Sequence, residues 1–196
     1  MGIRERTRRA VQTELFTVAM GLFLEHGFEA TTVDQIAAAA GLSRRSFFRY
    51  FASKDDVLTQ ALVGAGRDIS IALAGRPAAE TPWIALRQAF QPLVDAMTAD
   101  PRALTLTGLM LQSPDLAGPA HKKRGWQQPI IAVMTLRLPA GANPDRGRLE
   151  VAALTAAALA CLISAQNEWV TCSGRQPLSE LVDVAMSSVA PITLPD

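Results

Sequence analysis

The chain has 196 residues, of which 49% are hydrophobic and 19% charged, with 19 Lys and Arg against 18 Asp and Glu. Such a composition can bury a sizeable core and excludes a disordered tail or a collagen-like chain. The near-zero net charge excludes a uniformly basic protein but leaves room for a local basic patch.

The N-terminal stretch MGIRERTRRA is charged and leads into an amphipathic segment rather than an apolar signal region. Leu15, Val18, Ala19, Leu22 and Phe23 follow at helical spacing, and Gly27 suits the end of that helix. Thr32 with Gln35 reads as a capping box opening a short helix through Ala40, which Gly41 breaks. Ser43 is the N-cap expected for a third short helix over about 44–51. Ser53 with Asp56 caps a longer helix reaching about Ala74. Leu86, Ala89, Phe90, Leu93, Val94 and Met97 keep the helical period until Asp100-Pro101 stops it, and a helix from there ends near Gln112. A segment over about 119–138 comes next. Pro92, within the 86–97 pattern, and Pro129, within this segment, interrupt helical patterns, marking either kinks that open space or plain loops. A long helix over about 144–172 follows, and Gly174 ends it. Leu178, Leu181, Val182, Ala185 and Val189 form one face of a last helix. Strand signals are nearly absent. The expected fold is all-α with about nine helices. Its N-terminal three-helix bundle, 1–53, precedes a second helical domain, 54–196.

The 7–51 region is the informative one. Two short helices joined by Ala40-Gly41-Leu42-Ser43 form a helix-turn-helix pattern, because Gly41 can take the strained backbone angle the tight turn needs. In such a unit the second helix enters the major groove and presents its N-terminal side chains to base edges. Here that helix is SRRSFFRYF, and from Ser43 to Lys54 there are four basic residues and no acidic one. Arginine pairs bidentately with guanine, and Ser and Tyr hydroxyls suit phosphates. On charge alone a solvated basic face competes, but the glycine turn and flanking caps favour DNA. Phe47 and Phe51 read as core anchors. Arg4, Arg6, Arg8 and Arg9 form a further basic arm, with DNA contact and simple solvation as equal alternatives.

With these residues in view, TVDQIA at 32–37, AGLS at 40–43 and FFRYFASK at 47–54 resemble the DNA-binding signature of the TetR family of bacterial transcriptional regulators. The resemblance implies a homodimer whose subunits each carry three DNA-binding helices and a ligand-binding domain of about six. It implies repression of an operator relieved by a small molecule. By position it places Thr32, Ser43, Arg44, Arg45, Ser46, Phe48, Arg49, Tyr50 and Lys54 at the DNA, with Lys54 holding phosphate. The family commonly has Tyr where this chain has Phe48, so one phosphate-binding hydroxyl is missing, for which Tyr50 partly compensates. The recognition stretch also resembles a subgroup associated with acyl-CoA-like effectors, although no CoA-binding motif is visible.

In the second half, Trp83, Phe90, Met97, Met110, Trp126, Met134 and Trp169 are candidates for lining an apolar effector pocket, with plain core as the commoner role for such stripes. His121, Lys122, Lys123 and Arg124 form a basic cluster, read as a solvated face, with an anionic ligand group as the alternative. The 151–165 run is apolar nearly all round and shorter than the roughly 20 residues a membrane span needs, so it reads as a buried helix covered on two sides. Ala153, Ala156, Ala157 and Ala160, with Leu178, Leu181, Val182 and Ala185, are the expected dimer surface. The 54–74 helix links the two parts through Val57, Leu58, Ala61, Leu62 and Ala65. Gly64 and Gly66 within it suggest either a hinge or relief of crowding.

Two cysteines, Cys161 and Cys172, make no disulfide framework, point to a reduced, cytoplasmic compartment, and read as small apolar residues. With only two histidines, His26 and His121, no Gly-rich phosphate loop and no carboxylate pair at catalytic spacing, neither an enzyme nor a metal or cofactor site is expected. The competing classes are an all-helical small-molecule enzyme and a helical protein-interaction adaptor. Salt-dependent binding to duplex DNA separates the regulator from both.

Overall fold

The computed structural model describes residues 2–112, 123–138 and 143–192. Among these residues the chain forms nine α-helices and one π-helical segment, with no strand, so the all-α expectation holds. The helices are α1 (Ile3–His26), α2 (Val33–Ala39), α3 (Arg44–Phe47), α4 (Lys54–Ala74), α5 (Pro82–Ala99) and α6 (Ala103–Gln112). After the π-helical segment Lys123–Gln127 come α7 (Gln128–Leu136), α8 (Pro144–Thr171) and α9 (Leu178–Ser187). Contacts divide the chain into two compact units, Met1–Ala61 and Leu62–Asp196, so the division falls inside α4 rather than at residue 53.

In the first unit α1 packs on α2 and α2 on α3. Leu15, Ala19 and Phe23 of α1 are buried with Ile36 and Ala37 of α2, Phe47, Phe51, and Val57 and Leu58 from the start of α4. Leu15, Ala19 and Phe23 recur every four residues, so they lie along one side of α1. α1 ends where Gly27 takes φ +84°, a backbone region that favours glycine. The Phe23 and Phe28 rings then meet edge to face at 4.9 Å. α1 also begins earlier than the apolar pattern indicates. The basic N-terminal residues are its first turns rather than a loose arm, and Arg6 and Arg8 lie exposed on it.

In the second unit α8 is the central element. It packs against α5, α6, α7, α9 and the π-helical segment. Val151, Ala158, Leu162 and Trp169 of α8 are buried, as are Leu86, Phe90 and Val94 of α5 and Leu178, Val182 and Met186 of α9. The buried Arg87 of α5 ion-pairs with Asp183 of α9 and also donates to Gln91 Oε1 at 2.9 Å. Near the end of α7, Arg137 donates to the carbonyls of Arg76 (3.0 Å) and Pro77 (2.7 Å), tying that end to the α4–α5 connection. The two interior prolines resolve differently. Pro129 sits in the first turn of α7, where its missing N–H costs nothing. Pro92 lies inside α5 on an exposed side.

At Gly66 two backbones approach closely. A Cβ there would lie 2.4 Å from the carbonyl oxygen of Gly125 and 2.8 Å from Cα of Trp126, both in the π-helical segment. Gly64, two residues earlier, faces open space. Relief of crowding therefore accounts for Gly66 but not for Gly64. The side chains of Ala61 and Leu62 lie outside the described residues.

Candidate nucleic-acid interface

The helix-turn-helix is assembled from local hydrogen bonds. Thr32 Oγ1 accepts from the Gln35 N–H at 3.2 Å, while the Thr32 N–H donates to Gln35 Oε1 at 2.8 Å. This is the expected capping box, of a kind that contributes about 1 kcal/mol. Gly41 adopts φ +67°, and the Leu42 N–H donates back to the Ala37 carbonyl at 2.8 Å, closing the turn. Ser43 Oγ then accepts from the Ser46 N–H at 3.1 Å and starts α3. The third expected cap is present as well, with the Asp56 N–H donating to Ser53 Oγ at 3.1 Å.

α3 is shorter than its apolar period indicates. Regular α-helix covers Arg44–Phe47 only. After it, the Arg49 N–H bonds the Ser46 carbonyl at 3.2 Å and the Tyr50 N–H bonds the Phe47 carbonyl at 2.8 Å, three residues back each time. This tighter winding still buries both anchors: Phe47 and Phe51 lie in the core, with ring centroids 5.7 Å apart.

On the outer side Ser43, Arg44, Arg45, Phe48 and Arg49 are exposed, and Ser46 and Tyr50 are half-buried. Arg44 Nη1 bonds Asp34 Oδ2 of α2 at 2.7 Å, and its guanidinium lies 5.6 Å from the centre of the Phe48 ring. Asp34 went unremarked in the sequence, since only the fold brings α2 to the start of α3. Arg45 makes no ion pair among the described residues. Phe48 is 46% exposed, an unusual position for a large apolar ring, and it stacks edge-on against Phe47. Arg49 lies 5.7 Å from the Tyr50 ring. Chemically, this surface offers three arginines, several hydroxyls and an apolar ring on and just after a short helix.

Lys54 is engaged within the first unit. Its Nζ donates to the carbonyls of Phe28 (2.7 Å) and Glu29 (3.2 Å) and lies 4.4 Å from the centre of the Phe28 ring. Its side chain is only 21% exposed. The ammonium satisfies carbonyls just beyond α1, and that engagement competes with any phosphate contact. The start of α4 is tied in further by Gln12, whose amide donates to Gln60 Oε1 at 2.7 Å.

The effector and dimer candidates all lie in the second unit. Trp83, Phe90, Trp126, Met134 and Trp169 are buried, while Met97 and Met110 are half-buried. The dimer candidates separate by burial. Leu178, Leu181 and Val182 belong to the subunit's own core, because the apolar face of α9 is spent on α8 and α5. Ala153, Ala156 and Ala160 are exposed along α8, and Ala157 and Ala185 are half-buried. The exposed large apolar residues nearby are Leu149, Val184 and Val189. The Cys161 thiol is buried and donates to the Ala185 carbonyl at 3.4 Å; burial raises its pKa, which disfavours the reactive thiolate. His121 and Lys122, and the side chains of Lys123 and Arg124, lie outside the described residues.

Comparison with known proteins agrees with this geometry. Residues 15–61 match the family model for bacterial regulatory proteins of the tetR family, and residues 80–193 match the MftR C-terminal domain model. TcmR of Streptomyces glaucescens, an HTH-type transcriptional regulator, is 40% identical over 93 residues, 47% of this chain and 41% of its own length. The putative mycofactocin biosynthesis transcriptional regulator MftR of Mycobacterium tuberculosis is 46% identical over 52 residues, 26% of each chain. The matched stretch thus spans less than half the length of either relative. Among solved structures, Thermus thermophilus FadR, a TetR family transcriptional repressor in complex with lauroyl-CoA, superposes with a TM-score of 0.56 at 23% identity, over 94% of this chain and 96% of that one. SmeT, the repressor of the Stenotrophomonas maltophilia multidrug efflux pump SmeDEF, gives 0.63 at 18% identity over 94% and 96%. The two family models together cover both units, and the chain belongs to the TetR family of bacterial regulatory proteins.

Proposed function

We propose that the protein is a cytoplasmic, ligand-responsive transcriptional repressor and not an enzyme. It binds inverted-repeat operator DNA as a homodimer and is released by a small apolar or acyl-CoA-like effector. The observation that carries this reading is the capped helix-turn-helix with Arg44 and Arg45 exposed at the start of α3. Those two side chains are the base-reading or clamping groups, and Ser43, Ser46, Arg49, Tyr50 and the exposed Thr32 hydroxyl lie where phosphates run. The dimer reading is supported by the exposed small residues Ala153, Ala156 and Ala160 of α8, beside Leu149 at 70% and Val184 at 65% exposure. The acyl-CoA reading is supported by two neighbours of the same fold, the Thermus FadR bound to lauroyl-CoA and a Bacillus subtilis FadR bound to stearoyl-CoA.

Selection of bound sequences from random duplex DNA tests the class and supplies the operator. An inverted repeat is expected, with half-sites about 34–36 Å apart, one helical turn. Sedimentation of the purified protein should give a dimer at micromolar concentration. Failure to enrich any sequence, or a monomer that still binds the operator tightly, overturns the proposal.

A further inference from the structure

Two side-chain polar groups inside the second unit have no hydrogen-bond partner among the described residues: the Thr155 hydroxyl of α8 and the Trp83 indole N–H of α5. Thr155 is 0% exposed and Trp83 6%. The two helices that carry them pack against each other. Burying a hydroxyl or indole N–H without a partner is unfavourable, and folded proteins leave few such groups. Thr155 also has a local way out that it does not take. Thr98, Thr135 and Thr171 each donate to the carbonyl four residues earlier in their own helix, at 2.8–2.9 Å. The Thr155 hydroxyl does not, so it keeps its donor free inside the core. A third donor on the same side of α8 is weakly used. Gln166 lies eleven residues on, three turns away, and its buried amide donates only to the Met97 sulfur, at 3.5 Å.

The charge inventory is equally informative. Among the described residues of this unit, Arg87 is the buried cation, and Asp183 neutralises it. Among the described residues the interior therefore offers unspent neutral donors and no unspent positive charge. An anionic ligand group buried there would lose its water without gaining a counter-ion.

We infer that Thr155 and Trp83 are effector-binding residues, and that the buried part of the effector is an uncharged apolar body bearing a hydrogen-bond-accepting carbonyl. A ketone, an ester or the thioester carbonyl of an acyl carrier has this chemistry, and a free carboxylate does not. The inference rests on the ligand-responsive reading above and adds the chemical class of the ligand and two side chains that select it.

Three probes sharing one apolar body separate the terms: naphthalene, 2-acetylnaphthalene and 2-naphthoate. Each is titrated by equilibrium dialysis against the full-length chain without DNA. The parent is expected to bind the ketone about 2- to 10-fold more tightly than naphthalene, the range one neutral hydrogen bond supplies, and to bind the naphthoate more weakly than the ketone. Thr155→Val removes the hydroxyl while keeping the shape. It should lower ketone affinity by a similar factor, leave naphthalene unchanged and not lower the unfolding midpoint, because no existing hydrogen bond is lost. Thr155→Ser should restore ketone binding. Trp83→Phe should weaken the ketone selectively as well. Equal affinity for ketone and naphthalene overturns the inference. So does tighter binding of the naphthoate, no binding of any probe, or a ketone preference untouched by both Thr155→Val and Trp83→Phe. A lower midpoint for Thr155→Val overturns it too, by showing the hydroxyl already partnered. Because DNA is absent, failure to select an operator would remove the repressor reading without altering any of these outcomes.

Discussion

Alanine at Gly66 should leave the protein less stable than alanine at Gly64, although the two glycines are neighbours on one helix. Replacing a helical glycine by alanine gains about 1 kcal/mol at either position, because alanine loses less backbone freedom on folding. At Gly64 nothing lies within 4 Å of the new methyl, so the gain stands. At Gly66 the methyl would sit 2.4 Å from the Gly125 carbonyl oxygen and 2.8 Å from Trp126 Cα. Both are backbone atoms, so relief means moving α4 away from the π-helical segment and disturbing the buried Trp126. Overpacking of that kind costs about 1–3 kcal/mol. The propensity gain cancels between the variants, and their difference is the steric term alone. Trp83, Trp126 and Trp169 all lie in the unit Leu62–Asp196, so thermal unfolding followed by tryptophan fluorescence reports on that unit. Each kcal/mol shifts the midpoint by about 2–4 °C in a chain of this size. The expected order is Gly64→Ala above the parent and Gly66→Ala below Gly64→Ala by at least a few degrees. Equal midpoints for the two variants would refute the close approach and return both glycines to one role.

Arg44→Ala and Arg45→Ala should each weaken operator binding at fixed salt by about 1–3 kcal/mol and relax preference at one position. Fluorescence anisotropy on the selected operator measures this, and unchanged affinity in both variants would remove α3 from recognition. Lys54→Met should lower the unfolding free energy of the first unit, read from urea denaturation, by about 1–3 kcal/mol, through loss of charged hydrogen bonds to the Phe28 and Glu29 carbonyls. It should leave the salt dependence of DNA binding intact, whereas a slope reduced by about one would mark Lys54 as a phosphate ligand. The Arg76 guanidinium holds the Glu80 carboxyl below its ordinary pKa against the opposing effect of burial. Because folding lowers that pKa, the pair stabilises the fold above the ordinary carboxylate range and is lost as pH falls through the folded value. Glu80→Gln should therefore be less stable than the parent near neutral pH, and chemical denaturation should find the gap closed in acid. A gap that persists in acid would assign the loss to packing.

What the sequence made legible was largely local. Thr32 with Gln35, Ser43 with Ser46, and Ser53 with Asp56 each bond within three residues, so their spacing alone announces them. The face of α9 was also legible as a face, but helical period does not say what covers it. Leu178 and Val182 meet the chain's own core, and the outward apolar residue is Val184. The same limit hid the direction of Lys54, the crowding at Gly66 and the pairing of Arg44 with Asp34, since each partner lies ten or more residues away. The length of α3 escaped for another reason. Phe47 and Phe51 keep helical spacing, yet the tighter turns between them bury both rings equally well.

If Arg44 reads DNA as proposed, its ion pair with Asp34 makes recognition an exchange of partners. The pair is open to solvent, with side-chain exposures of 62% and 60%, so breaking it costs at most about 1 kcal/mol. On arbitrary DNA the guanidinium can stay with its carboxylate, and Asp34 then holds a negative charge beside the phosphates. Only a base edge that offers two well-placed acceptors repays the switch. In that proposed role Asp34 would raise selectivity by disfavouring the wrong sequences rather than by touching the right one. Its replacement by Asn should tighten binding to all duplexes and narrow the gap between operator and random DNA.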